Sequence, residues 1–215
     1  MIKNNIKKLQ SKICGVTDIK TLNYLVNHSY PPSFIGFIVN YKKSKRYLDY
    51  KKLKNLLKIK KKKIKFVAVL VKPTSIDLKN IAKLPFDYYQ IYNTSPKKIR
   101  IIKNKYKKKI IVALTINKKK DVEKYKLYKK ISDIFLFDGK GYEKSISFNH
   151  KFINNLKTKT KIMLAGNIKP DDNLKNFVEI ANIIDISGGL ETYGKKDISK
   201  INIFLNNMKK VNYEN

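Results

Sequence analysis

Short, almost continuous apolar segments alternate with longer lysine-rich segments along this chain of 215 residues. Each apolar segment is typical of a strand that is buried on both faces, as the strands of a parallel sheet are. The pattern predicts eight such strands, at residues 11–14, 34–39, 65–71, 87–91, 109–114, 133–137, 161–165 and 183–186.

The lysine-rich segments carry helix signals. Leu53, Leu56 and Leu57 repeat at the spacing of one helical face, which is typical of a helix that packs on a core. Eight helices are predicted, at residues 17–27, 49–60, 75–82, 95–103, 118–130, 149–156, 171–180 and 197–210. Residue types that cap helices begin four of them, namely Thr17, Ser75, Ser95 and Asp197.

The order of these elements, strand then helix throughout, predicts the fold class. Eight strand–helix units within about 200 residues fit one closed (β/α)8 TIM barrel, and we expect a single domain over residues 1–215. An open doubly wound sheet is the alternative. Such a sheet usually has a glycine-rich turn after its first strand, and here that turn holds only Gly15.

The charge of the chain at first suggests a nucleic acid or a membrane as its partner. Lys and Arg number 49 against 16 Asp and Glu, a formal net charge of +33, and clustered basic residues are typical of proteins that bind nucleic acids or anionic membranes. Only Arg46 and Arg100 are arginine, however, and arginine is the residue that reads bases. We therefore interpret the lysines mainly as solvated surface, and expect neither a nucleic-acid nor a membrane partner.

Cysteine and histidine are too scarce for most metal chemistry. Cys14 is the only cysteine, and His28 and His150 are the only histidines. This excludes an internal disulfide and disfavours a compact zinc site, and we assign the histidines no role. The apolar runs are too short to span a bilayer, and the basic N-terminus has no apolar segment behind it. We expect a cytoplasmic protein that uses no metal.

Candidate catalytic groups stand at the ends of the predicted strands, where barrels place their active sites. Cys14 ends the first strand and is either a small buried packing residue or a thiolate base or nucleophile. Asp138 follows the sixth and is either part of an Asp-Gly turn or a desolvated general acid. Arg46 follows the second strand, where its rarity favours bidentate binding of a carboxylate or phosphate.

The loops after the last two predicted strands are rich in glycine. They contain Gly166 and Asn167 after the seventh strand, and Ser187, Gly188 and Gly189 after the eighth. Glycines there can serve loop geometry alone, where a positive φ is needed. Two such loops at adjacent strand ends are also the usual phosphate site of barrels, and this is the interpretation we favour.

These motifs, taken in order along the chain, resemble the phosphoribosylanthranilate isomerases. The resemblance rests on Lys-Ile-Cys-Gly at 12–15 with Thr17, Gly-Phe-Ile at 36–38 followed by Ser-Lys-Arg-Tyr at 44–47, the strand 66–71 with Lys-Pro at 72–73, Gln90, Phe-Asp at 137–138, Leu-Ala-Gly at 164–166, and Asp-Ile-Ser-Gly-Gly-Leu-Glu at 185–191. It implies an aldose–ketose isomerase of tryptophan biosynthesis that needs no cofactor. The implied partner is a small phosphorylated substrate, and the implied assembly is a monomer or homodimer.

The resemblance also implies roles for the candidate residues. Cys14 would be the general base, Asp138 the general acid and Arg46 the ligand of the anthranilate carboxylate. The implied phosphate ligands are Gly166, Asn167, Ser187, Gly188 and Gly189.

The chain departs from the family pattern at several positions. The family usually has His at Tyr92, Gly at Asn167, Ser at Gly188 and Thr at Gly139. The loop after the sixth strand, normally a glycine-rich phosphate contact, here reads Tyr-Glu-Lys-Ser at 142–145, where Lys144 offers a charge instead. We therefore expect the catalytic pair to be intact and the phosphate loops to be altered.

Two other kinds of protein compete with this interpretation. Another sugar-phosphate TIM barrel would need a catalytic lysine on a barrel strand, or metal-binding His and Asp at strand ends; Lys65 and Lys109 stand only at strand starts. An RNA-binding or scaffold protein would use the lysine surface, but the chain has no RNP-like motif, KH loop or zinc knuckle. Both are disfavoured on these grounds.

Overall fold

Eight parallel strands form a closed barrel in the computed structural model, which describes residues 8–139 and 147–213. Each strand pairs with the next in sequence, and β1 pairs with β8 to close the ring. The strands are β1 Gln10–Cys14, β2 Phe34–Ile38, β3 Lys65–Val71, β4 Tyr88–Tyr92, β5 Lys109–Ile116, β6 Ile134–Gly139, β7 Lys161–Leu164 and β8 Ile183–Ile186. The predicted (β/α)8 barrel is confirmed.

The helices that connect the first five strands are regular. Asp18, rather than Thr17, caps the first helix by accepting from Thr21 N, and Thr74, rather than Ser75, caps the third. Ser95 caps the fourth as predicted. The α-helices are α1 Ile19–Asn27, α2 Tyr50–Leu56, α3 Ser75–Ile81, α4 Pro96–Tyr106, α5 Lys119–Val122 and α6 Ile198–Tyr213. In the described part of the chain, no helix is long and apolar enough to cross a membrane.

Three of the predicted helices are wrong as continuous helices. The segment 118–130 consists of the short α5 and a 3₁₀ segment at Glu123–Tyr128. The segments 149–156 and 171–180 contain only the 3₁₀ turns His150–Ile153 and Leu174–Phe177. In both turns an asparagine side chain, Asn149 or Asn173, accepts from the backbone N–H two residues later. This local bond competes with an α-helix.

An apolar layer fills the barrel between the amino and carboxyl ends of its strands. Near their amino ends, Phe34 packs edge-on against Tyr88 with ring centroids 5.5 Å apart. Above them lies a buried apolar cluster that includes Val67, Ile111 and Leu136. Lys65, Tyr88 and Lys109 begin three of the strands, so this apolar layer separates polar groups at the amino ends from the polar pocket residues at the carboxyl ends.

A small hairpin that the sequence pattern did not indicate follows β8. Its strands are β9 Glu191–Thr192 and β10 Lys195–Lys196, which pair antiparallel. The two turn residues, Tyr193 and Gly194, both have positive φ, at 50° and 77°, as a two-residue hairpin turn requires. The hairpin places Glu191 and Lys196 beside each other at the rim of the barrel.

Candidate active site

A polar pocket opens at the carboxyl ends of the strands. Among its lining residues are Cys14 from β1, Gln90 and Tyr92 from β4, Asp138 from β6, Asp185 from β8, and Arg46 from the loop after β2. The structure therefore brings together three candidates that are widely separated in sequence, Cys14, Arg46 and Asp138.

Cys14 lies next to a buried ion pair. Lys12 has no exposed surface, and its Nζ donates to Oδ1 and Oδ2 of Asp185 at 2.9 and 2.8 Å. Lys12 and Asp185 oppose each other in the register of β1 and β8. A Cβ at Gly36 of β2 would lie 2.8 Å from Cys14 Sγ and 3.1 Å from Lys12 Nζ. The missing side chain at Gly36 thus lets the thiol and the ammonium group occupy the same corner of the pocket.

These neighbours act on the ionisation of Cys14 in opposite directions. Burial raises the pKa of the thiol above its ordinary value, while the charge of Lys12 opposes that rise. Burial disfavours the ammonium form of Lys12, but Asp185 and Cys14 outweigh it and raise the pKa of Lys12. Lys12 is therefore a fixed cation beside the thiol.

Asp138 is held from a different direction by a neutral hydrogen-bond chain. The hydroxyl of Tyr92 donates to Asp138 Oδ2 at 2.9 Å, and Gln90 Nε2 donates to the Tyr92 oxygen at 3.2 Å. Burial raises the pKa of Asp138 to about 6, against the opposing effect of the Tyr92 hydrogen bond. A carboxyl with this pKa is protonated in a useful fraction of molecules near neutral pH.

Arg46 lies at the rim, bound to a carboxylate of the chain itself. Its Nε and Nη2 donate to Glu191 Oε1 and Oε2 at 2.6 and 2.7 Å. Lys196 Nζ, whose side chain is 1% exposed, donates to the same Oε1 at 2.5 Å. Burial lowers the pKa of Lys196, although Glu191 opposes the effect. Two cations on one carboxylate leave the rim with a net positive charge.

Gly15 is required for the position of Arg46. Its φ is +74°, and a Cβ at this residue would lie 2.4 Å from Cδ of Arg46. A glycine after Cys14 would also suit a ligand that approaches the backbone. In this structure the group that approaches Gly15 is instead the stem of the arginine, which crosses it on the way to the pocket.

The glycine-rich loops border a second cleft that shares Arg46 with the first. Asn167, Lys169, Gly188, Gly189 and Lys200 also line it. Gly166 and Asn167 both have positive φ, at 103° and 55°, so loop geometry explains part of this sequence. A Cβ at Gly189 would lie 2.2 Å from the Ile168 carbonyl oxygen, so this glycine also serves the close packing of the two loops.

Ser187 connects the end of β8 to two neighbouring strands. Its hydroxyl donates to the carbonyl oxygen of Cys14 at 3.0 Å, and its own carbonyl accepts from Lys196 at 3.1 Å. These bonds fasten the end of β8 to β1 and to β10. The hydroxyl of Ser187 is thus engaged within the protein.

The sequence reasoning missed the charged residues around the pocket, namely Lys12, Asp185, Glu191 and Lys196. The signal for Lys12 was available, because it stands two residues before Cys14 and strand residues two apart share a face. Lys65 and Lys109 do stand at the starts of β3 and β5, but the argument from these two lysines left out Lys12, which lies inside β1. Lys12 is nevertheless bound to Asp185 as an ion pair, which is unlike a free catalytic amine.

Two expectations remain, one about metal ligands and one about the altered loop after the sixth strand. Within residues 8–139 and 147–213, no three His, Cys, Asp or Glu side chains are grouped so that they could hold a metal ion. The altered loop at 142–145, with Lys144, lies outside the described residues.

A closed (β/α)8 barrel with titratable side chains at the carboxyl ends of its strands has the architecture of the TIM-barrel enzymes. The family model described as N-(5'-phosphoribosyl)anthranilate (PRA) isomerase matches residues 11–207. An N-(5'-phosphoribosyl)anthranilate isomerase of Rhizobium johnstonii is 31% identical over 212 residues, which cover 94% of each chain. One from Clostridium acetobutylicum is 31% identical over 211 residues, 93% of this chain and 97% of the relative.

Solved structures show the same fold. Phosphoribosylanthranilate isomerase from Thermotoga maritima superposes with a TM-score of 0.83 at 23% identity, covering 94% of this chain and 98% of the other. A phosphoribosylanthranilate isomerase in complex with reduced 1-(o-carboxyphenylamino)-1-deoxyribulose 5-phosphate has a TM-score of 0.79 at 22% identity, with the same coverage. The chain belongs to the N-(5'-phosphoribosyl)anthranilate isomerase family, so the resemblance of its motifs is confirmed.

Proposed function

We propose that this chain converts N-(5'-phosphoribosyl)anthranilate into 1-(2-carboxyphenylamino)-1-deoxyribulose 5-phosphate, with Asp138 as general acid and Cys14 as general base. The observation that carries the proposal is that both groups line one pocket with Arg46 at its rim, in a chain that belongs to this isomerase family. The reaction is an Amadori rearrangement, in which an aldose derivative becomes a ketose derivative.

In the first step Asp138 protonates the ring oxygen of the ribose. The bond between that oxygen and C1' breaks as the lone pair of the anthranilate nitrogen forms a C=N bond to C1'. Burial and the resulting pKa of about 6 for Asp138 support this role, because a general acid must hold its proton near the working pH.

In the second step Cys14, as thiolate, removes the proton from C2'. The electrons of the C–H bond form a C1'=C2' double bond, and those of the C=N bond return to nitrogen, giving an enolamine. Protonation of C1' and loss of the proton on O2' then give the ketone. The ammonium group of Lys12 stabilises the thiolate electrostatically.

Neither step needs a metal or a redox cofactor, because the substrate nitrogen donates its lone pair when the ring opens and takes the electrons back when C2' loses its proton. The side chains have only to deliver and remove protons and to hold the two anionic ends of the substrate. We therefore propose that the chain acts without a cofactor.

The carboxylate of anthranilate would bind Arg46, whose contact with Glu191 uses two of its five N–H groups. The phosphate would bind in the second cleft, between Gly166 and Asn167 of one loop and Gly188 and Gly189 of the other. Lys169 and Lys200 line the same cleft and add positive charge. Ser187 would contribute through its backbone, since its hydroxyl is engaged with Cys14.

The decisive experiment is rescue of a tryptophan auxotroph that lacks only this isomerase. We expect the wild-type chain to restore growth without tryptophan and the Asp138→Asn variant, expressed to the same level, to fail. Purified wild-type protein should also consume the fluorescent substrate. Well-expressed wild-type protein that neither rescues growth nor consumes substrate would contradict the proposal. Steep salt-dependent RNA binding in its place would favour the RNA-binding alternative.

A further inference from the structure

We propose that Tyr92 is a positioning residue for Asp138, whose hydroxyl, oriented by Gln90, holds Oδ2 of the carboxyl group and leaves Oδ1 to carry the acidic proton. The inference rests on the proposed function, in which Asp138 is the general acid. The family pattern has histidine at this position, so the arrangement belongs to this chain rather than to the resemblance.

The barrel geometry allows Tyr92 to reach across one strand. Tyr92 is on β4 and Asp138 on β6, and the strand between them presents Ala113 directly opposite Tyr92. Tyr92 and Ala113 belong to the same buried cluster inside the barrel. Because alanine has a short side chain, it leaves room for the phenol ring to pass over β5. The hydroxyl then meets Asp138 Oδ2 at 2.9 Å.

Gln90 determines which way the hydrogen bonds run. It stands two residues before Tyr92 on β4 and therefore faces the same interior, where it is 1% exposed. Its Nε2 donates to the Tyr92 oxygen at 3.2 Å. A hydroxyl has one hydrogen, so accepting from Gln90 leaves that hydrogen for Asp138. When Oδ2 accepts it, the single proton of the carboxylic acid resides on Oδ1.

The same contact influences when Asp138 loses its proton. The groups that act on Asp138 are Asp185 of β8, which raises its pKa, and Tyr92 and Lys12, which lower it together with the Gly139 backbone. Burial raises the pKa of Tyr92 well above its ordinary value, so its hydroxyl remains a donor throughout the working range. Among the side chains that stabilise the Asp138 carboxylate, Tyr92 has the largest effect.

The test is a comparison of Tyr92→Phe with wild type. Phenylalanine keeps the ring and removes only the donor, so we expect the pKa of Asp138 to rise by about one unit. The pKa is read from the carboxyl ¹³C resonance of protein labelled at aspartate Cγ, assigned with Asp138→Asn. The pH below which kcat/KM falls, the acid limb of its pH profile, should move to higher pH by the same amount. We also expect kcat, corrected for the fraction of enzyme in the active protonation state, to fall roughly tenfold because the acid is no longer held in place, with little change in KM.

Tyr89→Phe is the matched control. Tyr89 is on the same strand and packs in the cluster that includes helix residues Ile99 and Ile102. Its buried hydroxyl has no hydrogen-bond partner among the described residues. Removing that hydroxyl should move neither the Asp138 titration nor the acid limb.

A second variant at the same position tests the proposal even if Tyr92→Phe does not fold. Tyr92→3-fluorotyrosine has nearly the natural size and a more acidic hydroxyl, so it donates more strongly and should shift the Asp138 titration downward. An Asp138 titration that is the same in wild type and both Tyr92 variants would overturn the proposal. If the titration shifts but even wild type lacks turnover, the proposed function fails while the hydrogen bond from Tyr92 to Asp138 stands.

Discussion

The two proton-transfer groups of the pocket, Cys14 and Asp138, have different kinds of neighbours. On the β1–β8 side, Cys14 lies beside the ion pair of Lys12 and Asp185, whereas on the β4–β6 side Asp138 is held by the neutral side chains of Tyr92 and Gln90. Burial raises the pKa of both groups. A cation close to the thiol favours its negative form, while burial, only partly opposed by the neutral Tyr92 donor, leaves the carboxyl group able to keep its proton. The difference separates a site suited to a base from one suited to an acid.

Removing either group should cause the largest loss of activity. We expect Asp138→Asn and Cys14→Ala each to lower kcat/KM by about 10²- to 10⁴-fold, the usual contribution of general acid–base catalysis. The carboxamide of asparagine keeps the shape of the side chain but has no acidic proton to give, and alanine has no base. Consumption of the fluorescent substrate measures both. If either variant keeps nearly wild-type turnover, its residue has no such role.

The ion pair of Lys12 and Asp185, beside Cys14, should be critical for the stability of the fold. Lys12→Met leaves the Asp185 carboxylate buried without its cation, and we expect a loss of roughly 3–5 kcal/mol in the free energy of unfolding. Urea denaturation measures it. The double variant Lys12→Met/Asp185→Leu should regain most of this stability, since a nonpolar pair can replace a buried ion pair.

The same double variant separates stability from chemistry. Loss of the Lys12 ammonium group raises the pKa of Cys14, whereas loss of the Asp185 carboxylate lowers it by a smaller amount. Alkylation by iodoacetamide at a given pH should therefore slow modestly. Because Cys14 is the only cysteine, the alkylation rate reports on this residue alone. A stable double variant that is alkylated faster than wild type would show that Lys12 does not outweigh Asp185 at the thiol.

The pKa values of Asp138 and Cys14 also determine how kcat/KM depends on pH. With Asp138 near 6 and the pKa of Cys14 raised by burial, the dominant form between them is carboxylate plus thiol, the reverse of the protonation that the mechanism needs. The active form is then a constant minor fraction over that range. We expect kcat/KM to fall about tenfold per pH unit below about pH 6, and again above the pKa of Cys14. A profile without an acid limb near pH 6 would contradict the assignment of Asp138.

The barrel strands could be predicted from the sequence because a strand buried on both faces is a nearly continuous apolar run. The later helices could not, because side chains such as Asn149 form local bonds that periodicity does not reveal. The pairing of Lys12 with Asp185 depends on closure of the barrel between β1 and β8, which joins residues far apart in the chain. Candidates at strand ends were accessible to sequence reasoning, whereas the partners that tune them depend on the tertiary fold.

At the rim, Arg46 should affect substrate binding more than chemistry. We expect Arg46→Lys to raise KM about tenfold with kcat nearly unchanged, because an ammonium group cannot form two parallel hydrogen bonds to a carboxylate. Steady-state kinetics on phosphoribosylanthranilate measure both constants. Glu191→Gln is a useful companion, since it keeps Arg46 but weakens the bond that orients it. An unchanged KM in Arg46→Lys would remove Arg46 from the binding site.

The smallest effect concerns the lysines outside the pocket. A net charge of +33 should attract a substrate that carries both a phosphate and a carboxylate, and thereby speed its capture. Raising the ionic strength from about 0.01 to 0.15 M shortens the screening length from roughly 30 to 8 Å. We expect kcat/KM to fall a few-fold with added NaCl while kcat stays constant, because Cys14 and Asp138 lie in a buried pocket where salt has little access. A fall in kcat with an unchanged KM would instead mean that salt acts on the catalytic groups, and the contrast between a screened surface and a protected pocket would fail.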